Sequence, residues 1–294
     1  MDIQKFYVLG TGTMGNGIVQ VAAQTGFDVT AVDINQDLLD KAKAMIGKNL
    51  GRMVKKEKIS QEDADAALNR ITFTTEPDFG QADFVVEAVS ENPDLKDKIF
   101  KKLDEECKEG VILASNTSTI SITRLAANTN RADKVIGMHF MNPVPMMKLV
   151  EVINGLKTSD ETYKVVDELA KKMGKIPILV NDYPGFVSNR ILMPMINEAV
   201  YALMEGVAEV EAIDGVMKLG MAHPMGPLRL ADLIGLDVCL AIMEVLFTDL
   251  ADTKYRPCPL LKKMVASGDL GNKTGKGFYD YTEDPKNPVA RTVR

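Results

Sequence analysis

Histidine is scarce in this 294-residue chain, with two copies, and one of them stands where sheet proteins do proton chemistry. His139 closes the run Val135-Ile136-Gly137-Met138, a strand-like stretch. Catalytic groups of open parallel sheets gather at the carboxyl ends of strands, and imidazole exchanges protons near neutral pH. By position alone, His139 could equally be a hydrogen-bonded core residue. Two neighbours bear on the choice. Glu151 lies in the otherwise apolar run Leu149-Val150-Glu151-Val152, where a lone carboxylate is costly to bury. It needs a partner, which could be an imidazole or the ammonium of Lys148. Ser115-Asn116-Thr117-Ser118-Thr119 follows another strand end and adds hydroxyl and amide groups.

A second constellation suits phosphates. Gly10-Thr11-Gly12-Thr13-Met14-Gly15 follows a strand directly and opens a helix. In such a turn Gly10 permits the tight bend, Gly12 lets backbone approach a pyrophosphate, and Gly15 lets helix and strand pack closely. The N–H groups of the helix start, Thr13 and Met14 included, then face the anion. Asp33 ends the next strand, at the spacing expected of the acidic residue that accepts a ribose diol. Its charge repels a 2′-phosphate, and Ile34-Asn35-Gln36 supplies no compensating base. The expected cofactor is NAD rather than NADP.

The elements that must position these groups are legible. Strand-like runs at 6–9, 29–32, 84–86, 111–113, 135–136 and 176–180 alternate with helical spacing, the pattern of a doubly wound parallel sheet. The stretch from Asp37 to about Lys58 is long for a crossover helix, and Ser60-Gln61-Glu62-Asp63 resembles a capping box opening a second one. A helix pair inserted after the second strand accounts for both. At Tyr183-Pro184-Gly185 the pattern changes. Helical faces follow from Val187 to Met204, and at about 210–219, 237–250 and 259–266. The fold class expected is α/β: an N-terminal Rossmann-type doubly wound sheet with an inserted helix pair over residues 1–183, plus a C-terminal all-α domain over 184–294. Thr282–Arg294 reads as a polar tail.

Composition narrows the function. Apolar residues make up 46% and charged residues 26%, as in ordinary globular proteins. A net charge of −6 argues against nucleic acid as the main partner. No apolar run has the ~18 residues of a membrane span. Asp2 and Lys5 interrupt any secretory leader, so a cytoplasmic location is expected. Cys107, Cys239 and Cys258 are too widely spaced for a disulfide framework or a metal knuckle, and no metal is expected.

Taken together, Ser115–Thr119, His139-Phe140-Met141-Asn142-Pro143-Val144-Pro145, Glu151, Asp182-Tyr183-Pro184-Gly185-Phe186-Val187-Ser188-Asn189-Arg190 and Lys273-Thr274-Gly275-Lys276-Gly277-Phe278-Tyr279 resemble the L-3-hydroxyacyl-CoA dehydrogenase family, over nearly the whole chain. The resemblance implies an NAD-dependent oxidoreductase interconverting (S)-3-hydroxybutyryl-CoA and acetoacetyl-CoA. It makes His139 the acid–base residue and Glu151 its partner, and puts Ser118 and Asn189 on the substrate oxygen. It also assigns Glu91, Lys96, Asn142 and Lys273 to the cofactor and Lys56, with Arg52 nearby, to coenzyme A. A homodimer formed through the helical domain is the expected assembly.

Each assignment has a plainer rival. Ser118 could cap the following helix, and Asn189 could brace two helices. Lys48, Arg52, Lys55, Lys56 and Lys58 could be a solvated face. Met141, Met146 and Met147 read better as packing than as a recognition surface, and His223 as a loop residue. The rival functions are a dehydrogenase of a free hydroxy acid and a non-catalytic NAD-binding protein.

Overall fold

The computed structural model describes residues 2–293, which form two compact units meeting in sequence at Tyr183 and Pro184. The first is built on an eight-stranded sheet: β1 (Lys5–Leu9), β2 (Asp28–Val32), β3 (Ile71–Thr74), β4 (Phe84–Glu87), β5 (Ile112–Ser115), β6 (Val135–Phe140), β7 (Leu149–Asn154) and β8 (Ile176–Asn181). Their spatial order is β3-β2-β1-β4-β5-β6-β7-β8. The strand order reverses between β1 and β4, which opens a ligand crevice at their carboxyl ends.

The helices of this unit are α1 (Thr13–Thr25), α2 (Gln36–Lys55), α3 (Gln61–Asn69), α4 (Pro93–Glu106), α5 (Ile122–Ala126) and α6 (Asp160–Lys172). α2 and α3 are the inserted pair. Ser60 accepts from the Asp63 N–H while the Asp63 side chain reaches back to Ser60, closing the capping box. The core beneath β1 contains Phe6 stacked between Phe27 and Phe84, at centroid distances of 5.6 and 5.3 Å. Fully buried on both faces, β4 and β5 read as unbroken apolar runs until their last residues, Glu87 and Ser115.

The sheet departs from expectation in three places. β3 was not anticipated, because Ile71-Thr72-Phe73-Thr74 is an edge strand with no deeply buried residue. β6 runs to Phe140, so His139 lies within the strand rather than beyond it. β7 is antiparallel to β6: residues 141–148 join them without a crossover helix, so the chain simply turns back.

The second unit holds α7 (Ser188–Met204), α8 (Val210–Gly220), α9 (Pro227–Ile234), α10 (Leu236–Leu250) and α11 (Pro259–Ala266). Met193, Val200, Leu228, Leu236, Leu246 and Leu261 lie in its core. Two buried aspartates organise the ends of its helices. Asp214 accepts from the N–H groups of Leu228 and Arg229 at the start of α9 and from the Tyr279 hydroxyl. Asp232 accepts from the N–H groups of Phe278 and Tyr279 and from the Tyr281 hydroxyl. A Cβ on Gly277 would lie 1.9 Å from Asp232 Oδ1. The Lys273–Tyr279 motif is therefore glycine-bearing because its backbone seats directly on a carboxylate.

The expected polar tail is a correction. β9 (Tyr279–Asp280) pairs antiparallel with β10 (Val289–Ala290), and Arg291 Nη1 donates to Gly277 O at 2.7 Å and Asp269 Oδ2 at 3.0 Å. Arg229 Nη2 also donates to Lys286 O at 2.7 Å, so polar composition concealed a return segment held by two guanidinium groups.

Candidate active site

His139 and Glu151 face each other directly in the β6–β7 register, and both are buried. The imidazole Nδ1 lies 2.8 Å from Glu151 Oε2 and Nε2 lies 3.0 Å from Ser118 Oγ. An ionised carboxylate only accepts, so Nδ1 carries the hydrogen toward Glu151. In the neutral ring this leaves the Nε2 lone pair toward Ser118, which places the proton-accepting atom at the carboxyl edge of the sheet. The antiparallel return of β7 makes this pair possible, since it brings the beginning of one strand beside the end of the other.

Ser118 sits in the turn after β5 and does not cap the next helix; α5 is capped by Ser121. The turn hangs on Glu91, whose Oε1 accepts from the Thr117 hydroxyl at 2.5 Å and from the N–H groups of Ser118 and Thr119 at 2.9 and 3.0 Å. Burial pushes the Glu91 carboxyl up, but the Lys96 charge and the hydrogen bonds from Thr117 and Ser118 outweigh it and hold it below the usual glutamate value. Lys96 is 1% exposed, with its ammonium 2.7 Å from Glu87 and 3.2 Å from Glu91. Its ammonium is thus shared between these two carboxylates. Asn116 Oδ1 accepts from the Phe140 N–H at 2.9 Å and ties this turn to the histidine strand.

At the β1–α1 turn the three glycines differ in what demands them. Gly10 has φ +86°, and a Cβ there would lie 2.7 Å from Ala88 O; one on Gly15 would lie 1.8 Å from Gly10 O. The chain itself requires both. A Cβ on Gly12 would meet no atom within 4 Å, so the space over Gly12 is open to a ligand lying on the turn. Gly12 is also the N-cap of α1, which has no side-chain cap and no acidic residue in its first turn, opened by Thr13 and Met14. That is a seat for an anion. Asp33 Oδ2 accepts from the Thr11 N–H and hydroxyl, both at 2.7 Å, and Oδ1 accepts from the Ile34 N–H at 2.8 Å. A carboxylate offers about four lone-pair sites, so Asp33 holds the turn and still has room for a ribose hydroxyl. These features fit a bound NAD.

Beside the turn lies a cleft of about 380 Å³, whose walls include Gly12, Thr13, Asn49 and Asn142–Pro145. Lys41, Met45 and Asn49 of α2 also line it, and Arg52 and Lys56 continue the same helical stripe at i, i+3 and i+4 spacing. Met146 and Met147 are 76% and 43% exposed, which corrects their reading as packing: the β6–β7 loop carries them outward. In the helical unit Asn189 is buried in the first turn of α7. Lys273 pairs with Asp237 at 2.7 Å, and His223 lies in the loop after α8. Among the described residues no group of three or more His, Cys, Asp or Glu side chains is placed to hold a metal ion. No helix among them is long and apolar enough to cross a membrane.

The residue that sequence reasoning missed is Glu87, fully buried at the carboxyl end of β4; Ser115, singled out only as part of its motif, is fully buried at the end of β5. The signal was present: each is a polar residue closing an apolar run.

A dinucleotide turn at the strand-order switch, with a buried imidazole–carboxylate pair further along the same edge, is the layout of a nicotinamide-dependent dehydrogenase. Within that class the chain belongs to the 3-hydroxyacyl-CoA dehydrogenase family. The family's NAD-binding domain matches residues 5–183 and its C-terminal domain residues 185–281. The chain is 60% identical to a probable 3-hydroxybutyryl-CoA dehydrogenase of Deinococcus radiodurans, over 94% of this chain and 100% of that protein. It is 53% identical to a 3-hydroxybutyryl-CoA dehydrogenase of Bradyrhizobium diazoefficiens, over 95% and 96% of the two chains. Among solved structures, the (S)-3-hydroxybutyryl-CoA dehydrogenase of Ralstonia eutropha is similar, with a TM-score of 0.93, 54% identity, and coverage of 96% of this chain and 100% of that one.

Proposed function

We propose that the protein is an NAD-dependent 3-hydroxyacyl-CoA dehydrogenase that interconverts (S)-3-hydroxybutyryl-CoA and acetoacetyl-CoA. The observation that carries this reading is the line Ser118–His139–Glu151, with distances of 3.0 and 2.8 Å, at the carboxyl edge of a dinucleotide-binding sheet. NAD, when bound, takes up or supplies the hydride. The protein's part is the proton. In oxidation, His139 Nε2 receives the proton of the substrate hydroxyl; in reduction, the imidazolium returns it to the ketone oxygen. Glu151 fixes the ring through Nδ1 and balances the positive charge that His139 gains. Positioned acid–base catalysis of this kind contributes roughly 10²–10⁴-fold.

Ser118 donates to the substrate oxygen and fixes its distance from Nε2. Asn189 is assigned to the same oxygen on the strength of its motif. Gly10, Gly12, Thr13, Met14, Gly15 and Asp33 hold the dinucleotide, with Asn142 beside the turn. Glu91, backed by Lys96, belongs to the cofactor side, and the Lys273 assignment rests on its motif. The stripe ending in Arg52 and Lys56 suits the phosphates of coenzyme A. The 1–183 unit is the NAD-binding domain and the 184–294 unit the substrate and dimerisation domain. Ile191, Val207 and Leu219 of the latter are 67%, 73% and 90% exposed, apolar surface that supports a homodimer formed through this unit. A cytoplasmic location goes with this reading.

The test is spectrophotometric. NADH should be consumed rapidly with acetoacetyl-CoA, and much more slowly with NADPH or with free acetoacetate. Equal rates with free acetoacetate would replace the thioester by a free keto acid.

A further inference from the structure

The Glu87 carboxylate lies behind the proton-transfer line, 0% exposed, in the last residue of β4. Its Oε1 accepts from the Val89 N–H and from Lys96 Nζ, both at 2.7 Å; its Oε2 accepts from Lys96 Nζ at 2.9 Å and from Ser115 Oγ at 2.8 Å. Ser115 Oγ in turn accepts from the Thr117 N–H at 3.1 Å. The Thr117 hydroxyl donates to Glu91, and Glu91 pairs with the same Lys96.

The contacts close into a ring: Glu87, Ser115, Thr117, Glu91, Lys96 and back to Glu87. The ring binds the ends of β4 and β5 to the first turn of α4. Ser118 hangs from it through the N–H bond to Glu91, and its Oγ reaches His139 Nε2. Glu87 is the member that grips both halves at once, one oxygen on the β5 hydroxyl and both on the α4 ammonium.

We propose that Glu87 is a positioning residue for the reaction. Through Lys96 and Ser115 it sets the turn that places Ser118 Oγ against His139 Nε2, although it touches neither substrate nor cofactor. The inference rests on the acid–base role given to His139 above. Misplacement by about 1 Å at a reacting centre costs on the order of 10²-fold in rate. Removing the Glu87 charge also leaves Lys96 held by Glu91 alone, which pulls Glu91 toward α4 and away from the turn.

Two readouts test it on the full chain. The first is steady-state reduction of acetoacetyl-CoA by NADH. The second is the 15N signal of His139 Nε2, easily assigned in a chain with two histidines by comparison with His139→Gln. In Glu87→Gln, kcat should fall roughly 10- to 100-fold, KM for the thioester should stay within about threefold, and the Nε2 signal should move. Glu87→Asp, which keeps the charge, should recover much of kcat and return the signal toward that of the unaltered protein. An unmoved Nε2 signal, or a kcat within twofold of the unaltered enzyme, overturns the proposal, and each does so alone. If Glu87→Gln does not fold, Ser115→Ala decides. It should move the same signal and lower kcat several-fold, and no change in either overturns the ring as a positioning device. If the unaltered protein does not turn over the thioester, the functional reading fails, while the Nε2 signal still judges the placement of Ser118.

Discussion

Each unit of the molecule buries a pair of carboxylates, Glu87 and Glu151 in the sheet unit and Asp214 and Asp232 in the helical unit, and the two pairs are satisfied in opposite ways. In the sheet unit Glu87 and Glu91 share the Lys96 ammonium, and Glu151 holds an imidazole that can become a cation. In the helical unit the donors to Asp214 and Asp232 are backbone N–H groups and tyrosine hydroxyls. Both arrangements satisfy the rule that buried polar groups are hydrogen-bonded. They differ in what they can do next. The sheet cluster reaches the surface at one end, through the 38%-exposed Glu91 side chain and the turn whose Ser118 Oγ meets His139 Nε2. A proton can therefore enter or leave there. The helical cluster is closed over by the chain's own C-terminal segment and serves to lock helices together. Burial of a carboxylate is thus poor evidence of catalysis by itself; the discriminating feature is whether its partner can gain or lose a proton.

The comparison is tested most severely by His139→Gln. Turnover of acetoacetyl-CoA should drop by about 10²–10⁴-fold, with NADH affinity by fluorescence titration within about twofold. Turnover near that of the unaltered enzyme would remove the proton from the sheet cluster. The counterpart is Asp232→Ala, which strands two backbone N–H groups and a phenol. At about 1–3 kcal/mol for each buried donor left unmade, the unfolding free energy of the helical unit should fall by several kcal/mol in urea titrations, with kcat of the folded fraction within about twofold. A large loss of kcat at unchanged stability would make that cluster functional.

Asp33 sharpens the comparison, as a carboxylate shared between fold and ligand. Asp33→Ala should weaken NADH binding about tenfold or more, from loss of one charge-assisted hydrogen bond of about 1.5–3 kcal/mol, and should narrow the preference over NADPH. Isothermal titration with both nucleotides measures it.

The smallest effect is in pH. Burial pushes the Asp232 carboxyl up to about 6 despite its hydrogen bonds, so its stabilising contribution is full below the unfolded value and is lost as pH rises through about 6. Glu91 is shifted the other way, and its contribution is present above the unfolded value and lost as pH falls through its lowered native one. Native-state hydrogen exchange should show α9 gaining protection from pH 7 to pH 5, by an amount abolished in Asp232→Asn, while the Ser115–Thr119 turn gains none.

Much of this was legible in the sequence, and the illegible parts have a common physical cause. The glycine turn, Asp33 and the helix pair announce themselves because their constraints are local: a tight bend, a strand end, a capping serine. His139 and Glu151 could be singled out because each is polar in an apolar run. Their pairing could only be offered as one option, since nothing local in the sequence marks β7 as antiparallel. The Glu87–Lys96–Ser115 ring was missed for the same reason, being closed by contacts between residues up to 28 apart. The C-terminal return is illegible because two arginine contacts and two-residue strands leave almost no periodic trace.

The facing register of His139 and Glu151 has a consequence for how such an enzyme can change. The two groups form one rung of the β6–β7 ladder, and a slip of a single residue would turn one of them to the opposite face of the sheet. The connecting segment at 141–148 has a lock of its own, since Val144 lies in the core and the buried Lys175 ammonium donates to the carbonyls of Val144 and Met147. Strand register and connecting segment must therefore be inherited together, and substitution is tolerated best at positions that take part in neither, such as the exposed Met146 side chain.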